Sequence, residues 1–128
     1  MQHINLFKEV GENEDFQRVI FTGKQSQLLV MNLKPGEDIE WGMEKPDKIF
    51  LVISGSGVVA VGDDERPVGK GDLVFVNAGT KHDLVNTSED EDLKMAVVYA
   101  PSIYLETVSH STREKAILDP FSDLSGVD

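Results

Sequence analysis

The chain is built from short apolar runs that turn-forming residues interrupt about every 8–12 positions. Runs of this length favour the strands of a β-sandwich or barrel, because helices need longer stretches with a 3.6-residue period. Gly, Pro, Asn and Asp fill the breaks, as at Lys34-Pro35-Gly36. The pattern predicts an all-β fold with seven strands, at residues 18–21, 26–33, 49–53, 57–61, 73–76, 82–86 and 93–99.

The C-terminal part departs from this strand pattern. Ser111 or Thr112 is a suitable N-cap, so we predict a short helix over residues 111–118, followed by a loose tail from Pro120. We expect a single domain over residues 1–128, since this length is ordinary for one domain. Its predicted parts are an N-terminal strand segment at about 16–22, a barrel core at about 26–100, and a C-terminal helix and tail at about 111–128.

Composition excludes several classes of function. The chain has no cysteine, which rules out disulfides, thiolate metal sites and a cysteine nucleophile. Its 12 Lys and Arg against 23 Asp and Glu give a net charge of −11, which argues against nucleic acid and anionic membranes as partners. No secretory signal and no apolar run of about 20 residues is visible, so we expect a cytoplasmic protein.

The most specific motif is GDLVFVNAGTKHDLVN, at residues 71–86. Gly71, Gly79, His82 and Asn86 stand at the spacing of the second cupin motif, and Asn77 replaces its proline. The two glycines are predicted to allow tight turns with positive φ on either side of a short strand. The sequence therefore resembles the cupin family, which implies a double-stranded β-helix, a jelly-roll-like barrel, with His82 at its mouth.

The N-terminal part carries a second resemblance. Residues 15–23 read DFQRVIFTG and residues 26–28 read SQL. These stretches are similar to a branch of small single-domain cupins that are uncharacterised. The resemblance covers most of the chain, from about residue 5 to 116.

The first cupin motif begins at Gly36 but has lost most of its ligands. Where the family has two histidines and a glutamate, this chain has Gly42, Glu44 and Lys48. Gly42 has no side chain, and Lys48 is a cation at neutral pH. The resemblance leaves His82 and Glu44 as candidate ligands for iron, manganese, zinc or nickel, whereas catalytic sites use three or four protein ligands.

Two functions stay open at this point. In the first, the Lys48 ammonium replaces the metal and neutralises Glu44, and the pocket binds a small molecule without a cofactor. In the second, the chain is a metal-dependent or acid–base enzyme, of isomerase, epimerase or dioxygenase type, that uses His82, Glu44 and Lys48. Trp41 and Met43 flank the degenerate motif and are predicted to form a wall of the same pocket.

Two further expectations concern the chain ends. His110 precedes the predicted helix, where a capping or surface role and a role as a lid of the pocket are both open. The resemblance implies a homodimer paired through N-terminal strands. The strand-forming segment 17–21 beside residues 26–33 is compatible with such edge pairing.

Overall fold

The computed structural model of the chain describes residues 1–104 and 108–119. Within these residues, nine strands form two antiparallel sheets, and a short helix lies at each end. The elements in chain order are α1 (Leu6–Glu12), β1 (Gln17–Thr22), β2 (Gln27–Leu33), β3 (Asp47–Ser54), β4 (Ser56–Val61), β5 (Asp64–Gly69), β6 (Leu73–Val76), β7 (His82–Val85), β8 (Leu93–Ala100), β9 (Ser109–His110) and α2 (Arg113–Leu118).

The strand order confirms the predicted all-β, jelly-roll-like architecture. One sheet has six strands in the order β6-β3-β8-β2-β1-β9, and the other has three in the order β5-β4-β7. All seven predicted strands are present with ends within two residues of the prediction. The predicted C-terminal helix is also present, and Thr112 is its N-cap: its side chain accepts a hydrogen bond from the backbone N of Lys115 at 3.2 Å.

The main core lies between the inner faces of the two sheets. Alternation along β3 buries Phe50 and Val52 there, opposite Leu84 of β7 and Val59 of β4. A second, smaller cluster lies on the outer face of the six-stranded sheet, where Val10 of α1 packs with residues of β2 and β8. β2 is therefore buried on both faces, which explains its almost continuous apolar sequence.

Three elements were missed by the sequence prediction. α1 is only seven residues long and buries a single residue, Val10. A helix of this length shows too few turns for its amphipathic periodicity to be recognised in the sequence. β5 is an edge strand in which the first four residues are exposed, so it lacks an apolar pattern. β9 has two residues and exists only because it pairs with Gln17 and Arg18 of β1.

The structure bears on the expectation about membrane-spanning segments but not on the one about the C-terminal tail. Within residues 1–104 and 108–119, neither helix is long and apolar enough to cross a membrane. The predicted loose tail from Pro120 lies outside the described residues.

Candidate functional site

The second-motif glycines shape the turns that lead to His82. Gly71 and Gly79 have φ of +90° and +74°, which confirms the predicted turn geometry. His82 opens β7 and is 3% exposed. Its Nδ1 donates to the carbonyl oxygen of Thr80 at 2.9 Å, which leaves Nε2 as the acceptor nitrogen. Burial lowers the pKa of His82; the Thr80 hydrogen bond opposes this shift.

Residues 38–42 run beside β7 and close this side of the barrel. Gly42 forms a β-bridge with His82, and Asp38 forms one with Val85. Between them Glu40 adopts φ +74°, which bends the segment. Gly42, one of the ligand positions of the first cupin motif, therefore lies next to His82.

Lys48 is buried at the start of β3, with 3% of its surface exposed. Its Nζ lies 2.8 Å from Oε1 of Glu44. The same Nζ lies 4.9 Å from the centroid of the Phe50 ring and 5.1 Å from that of Tyr99. Burial lowers the pKa of Lys48, and the negative charge of Glu44 acts in the opposite direction.

Glu44 and Lys48 line a cavity of about 240 Å³ at the barrel mouth. The C-terminal part of the chain closes it, since Ala116, Ile117 and Asp119 also line it. Further lining residues are Phe16, Gln17, Met31, Ile39, Glu40, Tyr99, Tyr104 and Arg113. The cavity wall thus combines apolar side chains with two tyrosine hydroxyl groups and with both acidic and basic side chains.

The predicted site residues divide into two groups in the structure. Glu44 and Lys48 meet directly, and His82 makes an edge contact with the Phe50 ring, with ring centroids 6.1 Å apart. His82 does not line the cavity.

Trp41 is 45% exposed, with Lys81 Nζ 5.7 Å from its ring, and Met43 is 67% exposed. Neither Trp41 nor Met43 lines the cavity.

His110 is buried rather than at the surface. Its Nδ1 lies 2.9 Å from the side-chain amide nitrogen of Gln17, and its Nε2 lies 2.9 Å from a carboxylate oxygen of Asp119. Because it ties β1 to the residue that follows α2, it supports the part of the chain that closes the cavity. It does not itself line the cavity.

With this geometry established, comparison with known proteins identifies the family. The Cupin domain family matches residues 29–99, which is more than half of the chain. The chain is a cupin. This confirms the resemblance drawn from the two motifs.

This cupin is similar to two uncharacterised proteins and to a protein of known structure. It is 30% identical over 103 residues to the protein L612 of Acanthamoeba polyphaga mimivirus, covering 77% of this chain. It is 30% identical over 123 residues to the protein YrkC of Bacillus subtilis, covering 89% of this chain. The matches span 64% of the length of each relative. A crystal structure of BH2720 from Bacillus halodurans is 27% identical, with a TM-score of 0.90 over 92% of this chain and 94% of that one.

The donor set of this cupin does not fit a transition metal of the kind that many cupins bind. Among the residues that the structure describes, no three His, Cys, Asp or Glu side chains are grouped so as to hold a metal ion. The Glu44 carboxylate is already bound to the Lys48 ammonium at 2.8 Å. Lys48 itself stands at the position where the first cupin motif has an anionic ligand, a glutamate. A dication at this point would be repelled by that ammonium at short range.

Three charged residues near the cavity were not predicted from the sequence. Arg113 of α2 donates to the backbone oxygen of Asp38 at 2.7 Å and to its carboxylate at 2.8 Å. Asp83 of β7 is 3% exposed, and burial together with the neighbouring Asp38 carboxyl raises its pKa to about 7. These residues are 30 or more positions apart in sequence, so no local motif connects Arg113 with the other two.

Proposed function

We propose that this cupin binds a small, polar organic molecule in the cavity closed by α2, and does so without a transition metal. The observation that carries the proposal is the ion pair of buried Lys48 with half-buried Glu44, two residues that stand at ligand positions of the first cupin motif. An ion pair at the wall of the cavity holds a fixed donor and a fixed acceptor where a ligand can reach both.

The polar atoms of the cavity support a ligand with hydroxyl groups. Oε2 of Glu44 is buried and has no hydrogen-bond partner among the described residues. Tyr99 lies beside Glu44, and burial raises the pKa of that phenol well above its usual value. An acceptor left unpaired costs about 1–3 kcal/mol, which a ligand O–H would recover. The volume is below the usual range of about 300–1,000 Å³ for ligand pockets, which favours a small molecule.

Elemental analysis tests the metal-free part of the proposal. Protein purified without an affinity tag is expected to contain iron, manganese, zinc and nickel far below one atom per chain. A stoichiometric metal that is lost in His82→Ala would overturn the proposal and favour the metal-dependent enzyme. His3→Ala is the matched control, because His3 is exposed near the N-terminus.

A titration followed by amide NMR tests the binding part. Glycerol and D-glyceraldehyde serve as neutral hydroxylated probes. We expect saturable shifts confined to residues that line the cavity, such as Lys48, Tyr99 and Ala116. Shifts that stay linear with probe concentration and spread over the surface would argue against a binding site here.

We further propose, from the family resemblance, that the chain forms a homodimer through its N-terminal strands. Gln17 and Arg18 of β1 already pair with β9, and the backbone N of Val19 donates to the backbone oxygen of Val108 at 3.0 Å. A second copy would therefore pair with residues 20–22 of β1. Light scattering after size exclusion is expected to give twice the chain mass of 14.1 kDa. A mass of one chain at micromolar concentration would contradict this proposal.

A further inference from the structure

Lys48 differs from every other lysine in the described residues, because it alone is buried. Its amine lies beside two aromatic rings and a carboxylate and at the wall of the cavity. From this geometry, and resting on the binding site proposed above, we propose that Lys48 forms an imine with a small neutral hydroxy-aldehyde or hydroxy-ketone bound in the cavity.

The Glu44 carboxylate provides a route to the reactive, uncharged form of the amine. The hydrogen bond from Nζ to Oε1 is 2.8 Å long, so a proton that moves along it leaves a free amine and a neutral carboxylic acid. Burial lowers the pKa of Lys48, which brings this proton transfer within reach from the ion pair. Desolvated lysines in apolar pockets are the ones that proteins use as nucleophiles toward carbonyl compounds.

The reaction balances with the groups present. The Nζ lone pair attacks the carbonyl carbon, the π pair moves to the carbonyl oxygen, and one proton passes from nitrogen to that oxygen to give a carbinolamine. Glu44 carries this proton, because its Oε1 is in contact with Nζ and its Oε2 is free to bond the new hydroxyl. The carbinolamine then loses its hydroxyl and a proton as one water, and the C–N double bond forms. No oxidant or reductant is required.

The charges in the cavity favour a neutral carbonyl compound. Three acidic and two basic side chains line it, and one of the basic ones, Arg113, is bound to Asp38. A carboxylate ligand would therefore enter a wall with an excess of negative charge. A hydroxyl group on the ligand would satisfy the unpaired Oε2 of Glu44.

Reductive trapping tests this inference on the intact chain. D-glyceraldehyde and cyanoborohydride are added at neutral pH, and the extent of modification at each lysine is read by peptide mass spectrometry. Lys45 is the internal control, because it is exposed and only three positions away. We expect Lys48 to be labelled at least about tenfold faster than Lys45.

Two variants separate imine chemistry from mere accessibility. Glu44→Gln keeps the size of the side chain but cannot accept the proton, so labelling of Lys48 is expected to fall about tenfold while Lys45 is unchanged. Lys48→Met removes the adduct. Labelling of Lys48 no faster than that of Lys45, or equal in Glu44→Gln, would overturn the imine.

The NMR titration distinguishes this failure from failure of the binding site. If glyceraldehyde binds saturably in the cavity without reductant and Lys48 is still not labelled, the imine is wrong and the binding site stands. If stoichiometric metal is found, the proposed function itself is wrong. If binding is absent but Lys48 is labelled as slowly as Lys45, both proposals fail.

Discussion

Gly42 and His82 lie directly opposite each other and exchange both backbone hydrogen bonds, at 3.2 and 3.0 Å. Paired residues of this kind point to the same face of the sheet, with Cα atoms about 5.5 Å apart. A Cβ at Gly42 would meet no atom closer than 3.9 Å, and the residue does not have a positive φ. The backbone at position 42 thus lies opposite His82 and leaves room for a side chain.

This relationship predicts that metal binding can be restored. Gly42→His combined with Lys48→Glu would add an imidazole at position 42 and a carboxylate at position 48. We expect these side chains to converge with Glu44 and His82, because position 42 pairs with His82 and position 48 contacts Glu44. Two imidazoles and two carboxylates are a suitable donor set for zinc or nickel. We expect the double variant, dialysed against zinc, to retain at least about tenfold more metal than the unmodified protein by mass spectrometry of the elements.

The single variant Gly42→His is the matched control, because it adds a ligand and keeps the Lys48 ammonium. We expect it to stay near the level of the unmodified protein. If it gained as much zinc as the double variant, the ammonium would not be what excludes the metal. If the double variant folded by circular dichroism and bound none, the ligand positions would not converge.

A second prediction concerns a close approach of two backbones. A Cβ added at Gly57 of β4 would lie 2.2 Å from the backbone oxygen of Val85 in β7, so the two strands would have to separate. We expect Gly57→Ala to lower the free energy of unfolding by on the order of 3 kcal/mol, measured with urea.

Gly69→Ala is the control for this substitution. Gly69 is also a strand glycine, but a Cβ there would meet only the backbone oxygen of Gly55, at an ordinary 3.8 Å. We expect a change within about 0.5 kcal/mol. Equal losses in the two variants would show that the cost is not the contact with Val85.

The local parts of this structure could be predicted because their causes are local. The turns at Gly71 and Gly79 follow from the residues that form them, and the seven strands follow from runs that alternate or are wholly apolar. β5 could not be found in this way, because an exposed edge strand has no apolar face to read.

The cavity was only partly predictable, because distant residues build it. The motif spacing gave Glu44 and Lys48, which are four positions apart and do meet. Tyr99 reads as an ordinary core residue of β8, and Arg113 reads as a surface residue of a short helix. Arg113 bonds Asp38 across 75 positions, and no single-sequence pattern reports such a pairing.

A third prediction is a pH dependence of stability that comes from Asp83. Its pKa is raised to about 7 in the folded protein by burial and by Asp38, whereas Arg113 acts in the opposite direction. The unfolded chain loses this proton near pH 4, so between about pH 4 and 7 the folded state binds more protons. Stability is therefore expected to fall as the pH rises through this window.

Asp83→Asn tests this prediction, because the amide mimics the protonated carboxyl and does not titrate. We expect the unfolding free energy of the variant, relative to that of the unmodified protein, to increase by on the order of 2 kcal/mol as the pH rises from about 5 to 8. Asp63→Asn, in the exposed turn between β4 and β5, should leave the pH profile unchanged. Parallel profiles for all three proteins would rule out Asp83 as the source.

The last prediction concerns the contact that keeps α2 in place over the cavity. Arg113 makes two hydrogen bonds to Asp38, and this is the charged link between α2 and the segment beside β7. Arg113→Met keeps much of the aliphatic stem but removes both bonds, and it leaves Asp38 next to Asp83 without a cation. We expect amide hydrogen exchange in α2 to become several-fold faster, and Lys48 to react faster with glyceraldehyde because the cavity opens. Glu114→Gln, on the exposed side of the same helix, should change neither rate. Faster exchange in α2 with an unchanged rate at Lys48 would mean that probes reach the amine by a path that α2 does not control.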